Sequence, residues 1–249
     1  MKSLRFKAVL GAIVFVVIVG LVSYSLTLAI VTRPANHGKL LALGRLAGAN
    51  ETLLGLTSLG SKPVAPIRFR IDPKRSDLMV RAFSGGVLWF KGHDHFVRPG
   101  DYSGEVELTP TAITPASLLL TIRAASVEET RPIFTPPQKK LINKELNEIV
   151  LEPAKYPDIV FKSTEVTGKL KEDGHYEAKI GGDLTLHGLT RHITIPADVA
   201  LDGLSSLRAR GEIEFNRSDF KVKATSAMHG TIRVRDKLRL TFDIVAMTY

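Results

Sequence analysis

From Ile67 to the C-terminus, apolar residues recur at every second position in one run after another. That period admits a half-buried β-strand and excludes an amphipathic helix. Ile67, Phe69 and Ile71 alternate with Arg68, Arg70 and Asp72, and Leu118, Leu120 and Ile122 with Leu119, Thr121 and Arg123. Tyr176, Ala178, Ile180, Leu184 and Leu186 share one parity, with Glu177, Lys179, Asp183 and Thr185 on the other. The pattern continues through Ile193 to Val199, Ala209 to Phe215 and Leu238 to Ala246. The runs follow one another with short turns between them, so neighbours in sequence are expected to pair as antiparallel hairpins.

One interruption breaks the series. After Pro136-Pro137, the residues Leu141, Ile142, Leu146, Ile149 and Val150 fall at helical spacing between Gln138 and Val150, with Pro153 just beyond. Proline in a first turn and soon after an end marks one amphipathic helix. The expected fold class is all-β, an antiparallel barrel of about eight strands with this helix plugging an end. A β-sandwich is the architectural alternative, because inward and outward positions alternate identically in both.

The first 66 residues are of another kind. Ala8 to Val31 is a stretch of 24 residues without a charge, long enough as a helix to cross a hydrocarbon core of roughly 30 Å. Residues 1–31 are therefore expected to form an N-terminal transmembrane helix. The competing expectation is a cleaved signal peptide, with Lys2, Arg5 and Lys7 as its basic region. The clustering of those three cations orients the amino terminus toward the cytoplasm and the remainder outside it. Residues 32–66, rich in Gly, Pro and Leu, are expected to be a tether, part helical or loosely ordered. Residues 67–249 then form a single domain large enough to bury its own core.

Charge narrows the partners. Of the formal net charge of +9, the part within residues 61–249 is only mildly basic, its cations are interleaved with acids, and no aromatic stacking signature accompanies them. Nucleic acid is accordingly excluded as an expected partner. The chain has no cysteine, which removes disulfides, thiolate metal sites and cysteine nucleophiles from consideration.

Two blocks carry a family resemblance: Tyr156-Pro157 through Phe161-Lys162-Ser163-Thr164, and Gly182-Asp183-Leu184-Thr185-Leu186-His187-Gly188-Leu189-Thr190. With Phe69-Arg70-Ile71-Asp72, Ala124-Ala125-Ser126-Val127 and Arg217-Ser218-Asp219-Phe220, in the same order and spacing, they resemble the YceI-like family. The resemblance implies a lipocalin-like barrel of the bacterial cell envelope, in the periplasm, whose apolar cavity binds a polyisoprenoid or similar amphiphile. It implies neither a cofactor nor catalytic residues. Two departures stand out. The family's Arg-Asp-x-His-Leu stretch before the helix is here Arg131-Pro132-Ile133-Phe134-Thr135, and Lys221 stands where a glycine is usual after Asp219-Phe220, which predicts no positive backbone angle there.

Ligand contacts are expected from Trp89, Phe90, Phe161, Phe215 and Phe220 as apolar surface, and from His93, His95, Arg131 and Arg217 as cations or donors at a cavity mouth. Trp89-Phe90 is expected on a strand, within an aromatic cluster. Gly92-His93-Asp94-His95-Phe96 supplies the sharpest chemical alternative. On a strand, His93 and His95 share a face and could hold one metal, although a catalytic zinc needs a third protein ligand, for which His187, His192 and His229 are available. Asp72 and Asp183 are expected to serve turns, and Ser84-Gly85-Gly86 lacks the setting of a hydrolase nucleophile. Three functions follow: a membrane-tethered lipid-binding barrel, a metal-dependent enzyme centred on His93 and His95, or an interaction module whose barrel is filled by its own side chains.

Overall fold

The computed structural model describes residues 65–109, 112–172, 174–227 and 229–249. The expected transmembrane helix, and all but the last two residues of the tether, lie outside them. Among the described residues no helix is long and apolar enough to cross a membrane.

The strands are β1 (Ile67–Ile71), β2 (Asp77–Gly85), β3 (His95–Pro99), β4 (Tyr102–Thr109), β5 (Ala112–Arg123), β6 (Val127–Glu129), β7 (Asp158–Glu172), β8 (His175–Leu186), β9 (Leu189–Asp202), β10 (Ser206–Asn216), β11 (Ser226–Ala227) and β12 (Ile232–Thr248). Helix α1 spans Pro136–Glu145. Six of the strands lie end to end in pairs. β12 pairs with β1 through Ala246 to Thr248 and with β2 through Arg233 to Asp243, so β1 and β2 are one long strand with an insertion between them. β3 with β4, and β5 with β6, continue each other in the same way. Counted so, eight long strands run antiparallel in sequence order and the last closes on the first. The up-and-down barrel is what forms; the sandwich does not.

The insertion is stitched down by its polar residues. The Asp72 carboxylate accepts from the Lys74 amide at 3.0 Å, and the Ser76 hydroxyl donates to the Asp72 carbonyl at 2.7 Å while accepting from the Val245 amide at 2.9 Å. Local side-chain bonds of this kind let a strand be interrupted without orphaning its backbone groups.

The barrel parts along one seam. β5 pairs with β7 only over Leu119–Arg123 and Asp158–Lys162, and β6 beyond has its partner on the β3 side. An open edge would expose unpaired backbone groups. Helix α1 packs against β6, and its Asn143 side chain accepts the Glu129 amide at 2.8 Å. The helix starts where expected: the Gln138 side chain reaches back to accept the Thr135 amide at 2.8 Å. Past Glu145 the backbone widens to one π turn, Leu146–Val150, closed by Leu151 N–H to Leu146 C=O at 2.8 Å.

The two sequence blocks prove to be neighbours. β7 and β8 form a hairpin in which Phe161 pairs with Leu184 and Lys162 with Asp183. A Cβ on Gly188 (φ 74°) would lie 2.5 Å from Cε1 of Tyr156, so only glycine lets the Tyr156 ring close over this turn. His187, itself at φ 51°, packs against that ring at 4.3 Å between centroids and hydrogen-bonds Glu152 at 2.9 Å.

Candidate functional site

Inward-facing positions of the long strands enclose a cavity of about 540 Å³. Its depth is aliphatic and aromatic, from Ile71, Leu108, Leu120, Ile180, Ile195 and Leu240 among others. The alternation that makes the strands therefore also makes the cavity wall. At one end the interior is shut by a buried cluster including Phe69, Leu207 and Ala246, of which Phe69 and Ala246 lie outside the cavity lining. At the other end are α1, the stretch from Gly86 to His95, and the β11–β12 hairpin. Here the lining becomes polar, with His93, His95, Glu145, Arg217, Lys223 and Arg233. This end is the mouth.

Close approach shapes the wall. A Cβ on Gly182, inward-facing on β8, would fall 2.6 Å from Cζ of Phe161, so the glycine lets the phenyl ring lie across the neighbouring strand. Phe161 is buried and lines the cavity, as does Phe215. Phe220, also expected to contact ligand, is 1% exposed and sits outside the lining, edge-on to Phe215 at 6.0 Å. It anchors a short turn, Arg217–Phe220, rather than the wall.

That turn corrects the expectation at Lys221, which takes φ 54° and ψ 23°. Amide bonds from Lys221 to the Ser218 carbonyl (2.9 Å) and from Val222 to the Arg217 carbonyl (3.1 Å) close the turn, and burial of Phe220 outweighs a left-handed cost of about 1–2 kcal/mol. The strand expected at Trp89-Phe90 is also corrected. Trp89–Lys91 is a single 3-10 turn, with Trp89 55% and Phe90 63% exposed. The two rings meet edge to face at 6.4 Å on the rim, neither in the cavity lining.

The His93/His95 pair divides. His95 opens β3, stacks on Phe134 at 5.3 Å and places its Nδ1 2.7 Å from the Glu129 carboxylate. His93 precedes the strand and meets Phe134 edge-on at 6.0 Å, so the shared strand face on which a metal pair depends does not form. Of the proposed third ligands, His187 bonds Glu152 and His192 bonds Asp183. Among the described residues no group of three His, Asp or Glu is placed to hold a metal ion.

Glu129, with its side chain fully buried, is the polar hub of the mouth. Burial pushes its carboxyl up, but hydrogen bonds from His95 and from the Arg131 and Phe96 amides outweigh burial and hold it below the usual range. The balance at Asp94 is similar: burial raises it, while the Ser84 amide and the Arg81 guanidinium, with Arg131 nearby, bring it down. Arg131, expected at the mouth, lies outside the cavity lining and donates to the Asp94 carbonyl at 2.6 Å, its guanidinium over the Phe96 ring. Arg217 does line the cavity and donates to the Val222 carbonyl at 2.8 Å. Sequence reasoning missed Glu129. Its signal was a carboxylate on the inward parity after Val127, where the alternation calls for an apolar residue.

The comparisons accord with this architecture. BcnA of Burkholderia cenocepacia has a similar structure, with TM-score 0.55 and 20% identity over 71% of this chain and 99% of its own. A polyisoprenoid-binding domain from Saccharophagus degradans, implicated in plant cell wall breakdown, has TM-score 0.51 and 12% identity over 74% of this chain and 99% of its own. At these identities the likeness is one of fold. No curated protein matches the chain. The model of the YceI-like domain matches residues 69–246, from the buried Phe69 of the first strand to Ala246 of the last, and the chain belongs to that family.

Proposed function

We propose that the domain holds a long-chain apolar amphiphile, a polyisoprenoid or similar lipid, inside the barrel and does not alter it covalently. The cavity carries this reading: about 540 Å³ of space, apolar through its depth apart from Ser117, with charged residues at one end alone among the described lining. Pockets that take small ligands run to roughly 300–1,000 Å³. A tail burying ten methylenes would contribute about 8 kcal/mol before ordering costs, so a tube without specific polar contacts suffices for firm binding. Membership of the YceI-like family, and a structural relative described as polyisoprenoid-binding, support the choice of ligand class. An interaction module with a filled barrel is not favoured, because side chains leave this volume open.

The setting belongs to the same proposal. Residues 8–31 anchor the chain in a bacterial inner membrane and the barrel lies on the periplasmic side, where it shields a tail from water. A reporter active only outside the cytoplasm, fused after Tyr249, tests the topology; an inactive reporter overturns it.

Ala178 lines the cavity with 1% exposure, and a Phe there would project into the open volume. Overpacking costs about 1–3 kcal/mol in a filled core, and space already present keeps Ala178→Phe at the low end. Solvent extraction and mass spectrometry of the purified protein are expected to find a long-chain lipid in the wild type and at least tenfold less in the variant. Equal lipid in both, or none in the wild type even after incubation with a polyisoprenoid, overturns the reading.

A further inference from the structure

Beside the mouth lies a second, shallower cleft of about 470 Å³, lined by Gly85, Gly86, Trp89, Ala224 and Val234 and by four charged residues: Arg217, Arg233, Arg235 and Asp236. Arg217, Arg233 and Val234 also line the apolar cavity, so the cleft and the tube share a wall. We propose that this cleft is an anion subsite, and that the amphiphile held in the tube carries a phosphate-type head group seated on Arg217, Arg233 and Arg235. The proposal rests on the lipid-holding reading above and adds the chemistry of the head.

The arginines are positioned but not saturated. Nε of Arg235 donates to the Ser84 carbonyl at 2.7 Å, and Gly85 makes room for the side chain: a Cβ there would lie 2.7 Å from Cγ of Arg235. The Arg233 side chain makes no hydrogen bond or ion pair among the described residues, its backbone being held in the β12 pairing. Nε of Arg217 is sealed from solvent with no hydrogen-bond partner among the described residues, and the carboxylate oxygen of Asp236 stands 3.9 Å away, beyond hydrogen-bond reach. Asp236 is engaged elsewhere, accepting from the Ser218 amide at 3.0 Å and hydroxyl at 2.7 Å. Three guanidinium groups against one committed carboxylate leave the cleft cationic. Their planar forks suit the oxygens of a phosphate, which carries about −1.5 to −2 charges near neutrality.

The wider charge pattern points the same way. Residues 86–95, 131–148, 217–227 and 229–236, the segments that supply the polar lining of the mouth, hold ten Lys/Arg against five Asp/Glu. The rest of residues 61–249 holds 18 against 19. The domain's positive excess therefore lies within the segments that supply the mouth, where it draws anions and falls off with salt.

Trp89, the single tryptophan of the chain, lines the cleft and reports its occupancy by fluorescence. The full-length protein in a non-ionic detergent is titrated with decyl phosphate, decan-1-ol and inorganic phosphate. Decyl phosphate is expected to bind about tenfold or more tightly than decan-1-ol, with the preference shrinking as salt is raised, and inorganic phosphate to compete only weakly. Arg233→Gln removes a guanidinium that has no hydrogen-bond or ion-pair partner among the described residues, and is expected to cut the preference for decyl phosphate over decan-1-ol about threefold or more. Arg217→Gln extends the test. Equal affinity for the two decyl compounds, or a preference untouched by Arg233→Gln, overturns the head-group assignment and spares the cavity reading. Inorganic phosphate binding as tightly as decyl phosphate overturns the lipid as its source. Failure of both decyl compounds to bind overturns the cavity reading and, with it, this proposal.

Discussion

The two ends of this barrel are built from the same strands and made differently. At the shut end, Phe69 (1% exposed), Leu207 (3%) and Ala246 (0%) pack with no charged group among them. At the mouth, a buried carboxylate, a histidine, several cations and exposed rings crowd around the end of the cavity. Close packing is the stabilising device at one end, and satisfied polar networks are the device at the other. Apolar packing holds whatever the ligand does. A polar mouth can meet a head group and still be held in place by its own bonds.

Phe69→Ala should have the largest effect and break the comparison at its strongest point. Truncating a buried Phe leaves a cavity and costs about 3–5 kcal/mol, measured by urea unfolding. A loss below 1 kcal/mol would mean that the shut end is not the stability centre. Glu129→Gln comes next, at about 1.5–3 kcal/mol, because three donors lose a charged acceptor. Its pH dependence sharpens the point. The Glu129 carboxyl sits below its ordinary 4.5 in the folded protein, so its contribution is present above pH 4.5 and is lost as pH falls through the folded value. The difference in melting temperature between wild type and Glu129→Gln should therefore narrow below pH 4.5, and a constant difference down to pH 3 would contradict the assignment.

Asp243→Asn tests the outer wall between the two ends. Asp243 accepts from Arg208 at 2.7 Å and Arg210 at 3.0 Å, and Arg208 foremost holds its carboxyl down to about 2. The pairs are partly solvated, so the expected loss is at most about 1 kcal/mol at neutral pH. It should vanish between pH 3.8 and about 2, since a depressed carboxyl stabilises only above its unfolded value and loses that as it protonates. Trp89→Ala should be smallest, within about 0.5 kcal/mol, because the ring is largely in water. A larger loss would make the rim a structural element after all.

What was legible in the sequence follows the same division. The shut end and the wall could be read directly, because alternation reports which face of a strand is inside: Leu118, Leu120 and Ile122 line the cavity as their parity requires. The sequence did not betray that β1 and β2 are one strand, since Asp72-Pro73 reads as a terminator and continuity comes from pairing with β12, at the far end of the domain's sequence. At the mouth, conformation is set by tertiary bonds. Trp89 was expected on a strand because it is aromatic; the Leu88 amide bonds the Thr231 carbonyl at 3.0 Å and the chain turns there instead. Lys221 adopts a glycine-like angle because Phe220 is buried beside it. Arg233 and Arg235 passed unnoticed in an alternating run where charges on one parity are ordinary.

The pairing of Phe69 with Thr248 brings the beginning and the end of the domain side by side at the shut end, with the full length of β12 between them and the mouth. An affinity tag, surface linkage or fused partner placed after Tyr249 therefore leaves the opening unobstructed. The same adjacency makes a circular permutant practical: a short linker from Tyr249 to Ala65, with new ends cut at the exposed Gly203 turn, would keep every strand pair except the hairpin connection itself.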